Sequence, residues 1–136
     1  MAVIPKVSDT LRQGFTLAVQ PDKTFRMDGA SLRVAGRTDG AEALAQAILL
    51  ILSTERYRWL IHSWNYGVEL ASLIGKDVEY CIPEIERRVR EALLQDDRVR
   101  AVENFSFSQP AKRKILVSFT VETVYGKIDA EQEVEI

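Results

Sequence analysis

A change in hydrophobic period between residues 83 and 107 constrains the fold of this chain more than any other feature. Before the change, apolar residues recur at three- and four-residue steps, the spacing of a helix with one buried stripe. These residues are Ile82, Ile85, Val89, Ala92 and Leu93. After Arg98 the period becomes two, with Phe105 and Phe107 on one face. We therefore predict a helix that leads directly into a strand.

The other face of this helix is charged, and its end is marked by Asp96-Asp97. Oppositely charged residues lie four positions apart, where side chains on one helix face meet. The pairs are Glu84 with Arg88, Glu86 with Arg90, and Arg87 with Glu91. Short acidic side chains compete for backbone hydrogen bonds and lie unfavourably at the negative end of the helix dipole. The helix is therefore expected to stop at this dipeptide.

Length and charge narrow the class of protein. With 136 residues the chain is long enough to bury a core without disulfides. We predict one domain at residues 15–136, after a flexible arm at residues 1–14. The net charge is −2 and acids and bases are interleaved, which argues against nucleic-acid binding, because phosphate recognition needs clustered cations. The most apolar run, residues 43–52, is too short to cross a bilayer, so we expect no membrane partner.

The chain carries no sign of export. Residues 1–14 lack the long apolar core of a signal peptide, which predicts a protein kept in a reducing cytoplasm or in a particle assembled there. Cys81 is the single cysteine, so an intrachain disulfide cannot form. Its neighbours are Tyr80 and Ile82, and we expect a small, buried, apolar side chain.

The N-terminal third predicts short hairpins followed by a helix. Residues 15–20, 24–27 and 31–35 are strand candidates, and Asp28-Gly29 between two of them is a strong hairpin signal. Asp39 is placed to cap a helix that is expected to end near Ser53-Thr54. Residues 44–52 are apolar nearly all round, which predicts that this helix is covered on most sides.

An aromatic segment follows at residues 55–64. Its alternation favours extended backbone, ended by a turn at Asn65-Tyr66-Gly67. The aromatic residues of this segment and its turn, Tyr57, Trp59, Trp64 and Tyr66, form either core or an interaction surface, and we favour core. Residues 68–74 are predicted as a short helix closed by Gly75. Pro83 is expected in the first turn of the next helix, where its missing N–H has no consequence.

The C-terminal third predicts a sheet ending in a hairpin. One face of the penultimate strand carries Ile115, Val117, Phe119 and Val121. The last strand has an apolar face with Ile128, Ala130, Val134 and Ile136. Its other face is acidic, with Asp129, Glu131, Glu133 and Glu135. A tight turn at Tyr125-Gly126, or a four-residue loop at residues 124–127, would pair Ile115 with Ile136 and Val117 with Val134. A shift of one residue would put carboxylates opposite the apolar row, so we expect this register.

This order of elements predicts an α+β fold. The expected domain has N-terminal short β-hairpins and two main helices packed on an antiparallel sheet that includes the C-terminal β-hairpin.

The residues of an active site or a metal site are missing. One histidine and one cysteine, far apart, cannot supply a ligand cluster, and no phosphate loop or nucleophile motif is present. Glu55, Glu69 and Asp77 are candidate carboxylates for a glycosidase, but acids near turns and helix ends are ordinary surface residues. We therefore expect a protein that is not an enzyme and that binds no cofactor.

The last strand, which ends at Ile136, is the clearest candidate for contact with another protein. An edge strand of this length invites pairing with a second chain unless it is protected, and acidic side chains are one form of protection. Two interpretations stay open: a solvated acidic face on a hairpin, or β-augmentation, in which a partner strand adds to the edge.

The order of these motifs resembles the baseplate wedge, or sheath-initiator, family of contractile phage tails, in the subgroup of PBSX-type prophages. The resemblance runs from about Phe15 to the C-terminus. It is carried by residues 47–54, 55–57, 66–70, 85–93 and 96–99. The family's hallmark at the helix-to-strand junction is Glu-Pro-Arg. Here Asp96 matches the Glu and Arg98 the Arg, while Asp97 replaces the Pro.

The resemblance implies a structural protein in the tail baseplate of a virion, assembled in the bacterial cytoplasm. Family members lie around the tail tube or hub, bind the larger wedge proteins and start the tail sheath by strand exchange. The implied protein interface here consists of Asp96 and Arg98 in the wedge core and of the C-terminal hairpin, which faces the sheath. The hairpin residues are Ile115, Val117, Phe119, Ile128, Glu131, Glu133, Val134 and Ile136. A regulatory adaptor of the same fold family is the first alternative, and a cell-wall glycosidase the second.

Overall fold

Residues 22–31 and 33–136 are described by the structure, a computed structural model. In chain order the elements are β1 (Thr24–Asp28), β2 (Arg33–Thr38), α1 (Gly40–Ser53), a 3-10 turn (Ala71–Leu73), α2 (Val78–Leu94), β3 (Val99–Ala111), β4 (Lys114–Thr123) and β5 (Gly126–Glu135). β1 and β2 form a hairpin, and β4 lies between β3 and β5 in an antiparallel sheet. The predicted α+β class is confirmed. The strand predicted at residues 15–20 and the arm at residues 1–14 lie outside the described residues.

The α2–β3 unit confirms the change in period. Ile85, Val89 and Leu93 are fully buried, as is Cys81. All three predicted charge pairs are present, with nitrogen–oxygen distances of 3.1 Å for Glu84–Arg88, 2.9 Å for Glu86–Arg90 and 3.4 Å for Arg87–Glu91.

Pro83 lies inside α2, which starts at Val78, so its predicted place in the first turn is wrong. The proline is exposed. Proline has no N–H, so the backbone carbonyl one turn earlier in α2 lacks its helical partner. This carbonyl lies on the solvated face of the helix, where water can replace the lost bond.

The core lies between α1, α2 and the inner face of the sheet. Ile115, Val117, Phe119 and Val121 all point inward from β4 and are buried, as the alternation predicts. Val134 and Ile136 are buried beside them, whereas Ile128 and Ala130 are partly buried. Phe105 stacks on Phe119 with ring centroids 5.4 Å apart. Each apolar row of the C-terminal sheet therefore faces the helices.

The register of the β4–β5 hairpin differs from the prediction by two residues. Ile115 pairs with Val134, and Phe119 pairs with Ala130, around a two-residue turn at Val124-Tyr125. The Thr123 hydroxyl stabilises this turn, because it accepts from the Tyr125 N–H at 3.1 Å and donates to the Gly126 carbonyl at 2.7 Å. A two-residue shift keeps every side chain on its face, so hydrophobic alternation cannot distinguish the two registers.

The segment between the helices is a looped structure and not the predicted strand. Turns occupy most of residues 56–66, and a bridge between Glu55 and Val68 closes the segment at its base. The short helix predicted for residues 68–74 is reduced to the 3-10 turn, with Gly75 following it at φ +85 as expected. Alternation over ten residues is therefore not sufficient for a strand, and in the described part of the chain only Glu55 of this segment forms a bridge.

The predicted start of α1 is confirmed, and so is its predicted cover on most sides. The Asp39 side chain accepts the Gly40 N–H at 2.7 Å, and the helix ends at Ser53. Leu44, Ile48 and Leu52 are buried, whereas Leu49 on the opposite side is 54% exposed. Gln46, away from the core, binds β1, because it accepts the Met27 N–H at 2.9 Å and donates to the Phe25 carbonyl at 2.8 Å. Leu49 is thus the one exposed residue of 44–52.

We expect Gly67→Ala to lower the free energy of unfolding by about 3 kcal/mol, as measured by urea denaturation. Gly67 has φ +94, and an added Cβ would lie 2.6 Å from the Thr54 carbonyl oxygen. That contact is part of the bridge at the base of the looped segment, so the backbone must move.

Gly75→Ala is the matched control for this substitution. Gly75 has φ +85, but an added Cβ would meet no atom within 4 Å. Its cost should be confined to the left-handed backbone, about 1 kcal/mol. Equal losses for the two variants would contradict the close approach at Gly67.

Candidate interaction site

The Asp96–Arg98 junction is a closed pair at the end of α2. The Asp96 carboxylate accepts three hydrogen bonds from Arg98, from the backbone N–H at 3.0 Å, from Nε at 3.0 Å and from Nη2 at 2.7 Å. The guanidinium therefore meets the carboxylate in the two-pronged geometry that makes such pairs strong. The acid and the arginine that the sequence analysis singled out are brought together, with Asp97 exposed between them.

Asp22 and Tyr125 complete this junction. Arg98 Nη1 donates to Asp22 at 3.1 Å, and the Tyr125 hydroxyl donates to the other oxygen of the same carboxylate. The side chains of Arg98, Asp96 and Asp22 are 24%, 13% and 11% exposed, so the charges are partly withdrawn from water. The guanidinium of Arg98 thus links the end of α2 to Asp22, two residues before β1, and Asp22 in turn links it to the β4–β5 turn.

The pKa values of the junction follow from these bonds. Hydrogen bonding from Arg98 holds the pKa of the Asp96 carboxyl below its ordinary value, against the opposing effect of burial. The same pairing raises the pKa of Arg98. The bond to the Asp22 carboxylate raises the pKa of the Tyr125 hydroxyl, because removing its proton would place two negative charges together.

An open groove of about 910 Å³ lies against the junction. Ile51 and Ala92 contribute apolar surface to it, and Asp96 and Arg98 contribute charge. Its further lining residues include Ser63, Asn65, Tyr66, Val124 and Tyr125. Three N–H groups of the guanidinium side chain are used by Asp96 and Asp22, and arginine has five. Within the described residues, donors thus remain for a carboxylate that enters the groove.

The hairpin residues singled out from sequence divide into two sets. Five of them are at most 5% exposed and belong to the core: Ile115, Val117 and Phe119 of β4, Val134 of β5, and Ile136, which follows β5. Glu131 and Glu133 are exposed, and Ile128 is partly buried. Contact with a partner at this hairpin would therefore use the backbone of β5 and its acidic side chains.

Strand β5 presents alternate backbone groups at the sheet edge. The Ile136 N–H donates to the Arg113 carbonyl at 2.9 Å, so Ile136 and every second residue before it face β4. The backbone groups of the intervening residues point away from β4, and these residues are Lys127, Asp129, Glu131, Glu133 and Glu135. In the described part of the chain, β5 pairs with β4 alone.

The two edges of this sheet differ in regularity. The β3–β4 register is interrupted at three places, one of them next to Asn104, which has φ +58. The β4–β5 register runs without interruption from Lys114–Glu135 to Thr123–Gly126. Bulges protect an edge from further pairing because they break its hydrogen-bonding row. Strand β5 is therefore the edge better suited to receive another strand.

The aromatic segment is exposed, so its predicted place in the core is wrong for most of its residues. Tyr57 is 58% exposed, Trp59 54% and Trp64 81%, whereas Tyr66 packs against the core. Two neighbouring apolar residues, Leu60 and Ile61, are exposed as well. The alternative that was left open, an interaction surface, is the one that this arrangement favours.

Of the three candidate carboxylates, Glu55 has structural contacts. Glu55 accepts the N–H groups of Leu70 and Ala71 at 3.1–3.3 Å, which positions the start of the 3-10 turn. No cluster of His, Cys, Asp or Glu suited to a metal ion occurs among residues 22–31 and 33–136. No helix in that part of the chain has the length and hydropathy needed to cross a bilayer.

Sequence reasoning found Asp96 and Arg98 but missed Asp22 and Tyr125. Asp22 lies 76 residues from Arg98 and 103 residues from Tyr125. Both missed residues looked like ordinary turn residues. No local signal connects such distant positions, because only the packing of the β4–β5 turn beside the end of α2 brings them together.

We expect Asp96→Asn to lower the free energy of unfolding by about 2 kcal/mol at neutral pH, because the charge-assisted pairing with Arg98 is lost. The folded-state pKa of Asp96 lies below the ordinary value of 3.8, so the wild type keeps this stability above that pH. The wild type loses this stability as the pH falls through the folded-state pKa of Asp96. Urea unfolding at a series of pH values should show the difference between the proteins shrinking in acid.

Glu131→Gln is the control, since this exposed carboxylate has no guanidinium partner in the described residues. It should change stability little at any pH. A loss for Asp96→Asn that stayed constant from neutral pH into acid would contradict the assignment.

Comparison with known proteins bears on this site. The family model described as contractile injection system sheath initiator matches residues 15–126, which include the aromatic segment, α2 and the Asp96–Arg98 junction. The chain is also 32% identical over 136 residues to the phage-like element PBSX protein XkdS of Bacillus subtilis (strain 168), covering 97% of this chain and 96% of that protein. On this match, which spans most of its length, the chain belongs to the contractile injection system sheath initiator family.

Proposed function

We propose that this protein is a non-enzymatic subunit of a contractile-tail baseplate that starts sheath assembly by accepting a strand at the β5 edge. The observation that carries the proposal is the uninterrupted β5 register in a member of the sheath initiator family. Outward-facing backbone groups recur along the strand, and a strand of the tail sheath protein would pair with them. The particle would be assembled in the bacterial cytoplasm, with the subunit near the tail tube or hub.

The negative charge of β5 restricts which strands can pair with its edge. Its outward-facing residues after Lys127 are all acidic, so they oppose pairing with another acidic strand, including β5 of a second copy. A sheath strand with basic or neutral residues opposite Glu131 and Glu133 would relieve this repulsion. The acidic row therefore serves both as protection before assembly and as a basis for choosing the partner.

The second contact in this proposal is with the larger wedge proteins at the Asp96–Arg98 groove. Arg98 is held in one orientation by Asp96 and Asp22, and ordering a side chain before binding reduces the entropy lost on association. Its remaining N–H donors suit a carboxylate of the wedge partner. The two contacts use different chemistry. The β5 edge binds by main-chain hydrogen bonds, whereas the groove beside Arg98 binds through side chains.

We expect Glu131→Pro to prevent sheath initiation while the protein still folds. Proline removes an outward-facing N–H and is tolerated at an edge strand, because no bond to β4 is lost. Electron microscopy of particles from cells in which the variant replaces the wild type should show tubes without sheath. Thermal unfolding of the purified variant should remain cooperative.

Two control variants accompany Glu131→Pro. Glu131→Gln keeps the N–H and should support sheathed tails. Gln132→Pro removes an N–H that faces β4 and should destabilise the hairpin itself. Sheathed tails in wild-type numbers from cells with Glu131→Pro would exclude strand addition at this edge.

We expect Arg98→Lys to weaken binding to the purified wedge proteins of the same system by roughly tenfold, because lysine keeps the charge but loses the planar fork. Isothermal titration calorimetry measures the affinity, and urea unfolding of the free variant measures stability. Arg113→Lys, at an exposed arginine between β3 and β4, is the control and should bind as the wild type does. Unchanged affinity for Arg98→Lys would remove the groove from the wedge contact.

A further inference from the structure

We propose that residues 57–64, here called the aromatic loop, dock an acidic amphipathic helix of another protein in the assembled particle. Five residues with large apolar side chains are exposed within these eight: Leu60 fully, Ile61 at 89%, Trp64 at 81%, Tyr57 at 58% and Trp59 at 54%. Contiguous exposure of this kind marks an interaction site, because isolated apolar residues are normal on a surface but clusters are not. This surface is separate from the β5 edge and does not depend on strand addition.

The aromatic loop is held in place by specific contacts. The Arg56 side chain donates through Nε to the Trp64 carbonyl at 2.8 Å, which ties the two ends of the loop together. Tyr57 and Trp64 meet edge to face at 6.3 Å, and His62 stacks on Tyr66 at 4.4 Å. The apolar side chains are therefore displayed by an ordered scaffold, and an ordered scaffold binds with a smaller entropic penalty.

The charge of the loop indicates an acidic partner. Residues 56–68 contain Arg56 and Arg58 and no acid. Arg56 is paired with Glu91 at 3.2 Å, whereas Arg58 lies over the Trp59 ring at 5.3 Å with no ion pair in the described residues. Trp, Tyr and Arg are the residues enriched at energetic centres of protein interfaces. A carboxylate beside apolar anchors would complement this surface.

The backbone of the loop indicates that the partner is bound through side chains. Residues 57–64 lie in turns and offer no strand edge, so main-chain addition is not available here. A helix can present apolar anchors every three or four residues with acids along their border. Ser63 belongs to the loop and also lines the groove beside Arg98, so a helix on the loop would continue toward that groove.

Two other occupants fit less well. Stable attachment to an anionic membrane calls for clusters of roughly four to eight basic residues, and residues 57–64 contain a single arginine and no lysine. A symmetric pair with a second copy would place Arg58 near its own counterpart, since a two-fold interface brings the same patch together. An acidic helix avoids both difficulties.

The test is site-specific photocross-linking in cells that carry the complete set of tail genes. A photo-activatable phenylalanine analogue replaces Leu60 in the full chain, and mass spectrometry identifies the cross-linked peptide in purified particles. A peptide from another tail protein, from a helical segment with an excess of Asp and Glu, supports the proposal. A peptide from a second copy of this chain, a segment without excess acid, or no cross-linked product overturns it.

Matched variants establish the chemistry of the contact. Arg58→Glu should lower the cross-linking yield by at least about fivefold, while Arg58→Lys stays near the wild type. Trp64→Ser should lower the yield similarly. Val34→Ser should leave it unchanged, because Val34 is equally apolar and 64% exposed but lies on β2. Equal yields for Arg58→Glu and Arg58→Lys would exclude an acidic partner.

Two further measurements separate this inference from its rivals. The same analogue at Glu133 reports on strand addition at β5, so either contact can fail while the other is observed. Co-sedimentation of the purified protein with vesicles of phosphatidylglycerol and phosphatidylethanolamine tests membrane binding. Binding to the vesicles that is lost with Trp64→Ser would overturn the helix proposal.

Discussion

The packing of α2 on the inner face of the β3–β4–β5 sheet is the interaction on which the rest of the structure depends. Ile85 and Val89 from the helix and Val117 and Val121 from β4 are fully buried in the same core. Arg90 reinforces the contact, with its guanidinium 5.2 Å from the centre of the Phe105 ring. Burying these two apolar faces against each other supplies the largest favourable free energy available to a chain of this size.

This packing places the candidate interaction surfaces. Because α2 runs directly into β3, the Asp96–Arg98 junction lies where helix and sheet meet, beside the β4–β5 turn that brings Tyr125 to Asp22. Because the helices cover the inner face of the sheet, its outer face and its edges remain for contact with another chain, and β5 is the regular edge. The aromatic loop leaves the core after α1 and returns at Val68. Membership of the sheath initiator family agrees with a molecule that offers several surfaces to other proteins.

The errors of sequence reasoning have a common physical origin. Hydrophobic alternation predicts correctly which side of β4 and β5 faces the core. A two-residue shift leaves that alternation unchanged, so the predicted pairing of Ile115 with Ile136 is wrong. Alternation at residues 55–64 predicts a strand with its aromatic residues in the core, but among the described residues no strand or helix covers Trp64, which is 81% exposed. Burial depends on what lies opposite a segment, and this information is not local.

The sequence by itself determined the elements whose signals are local. Periodicity, the cap at Asp39 and the stop at Asp96 are set by contacts within a few residues, and they predicted α1, α2, β4 and β5 and the fold class. Only the tertiary structure decided the β4–β5 register, the exposure of the aromatic loop and the joining of Asp22, Arg98 and Tyr125. Each of these outcomes depends on which distant segments approach one another, and that choice is made by the free energy of the whole packed core.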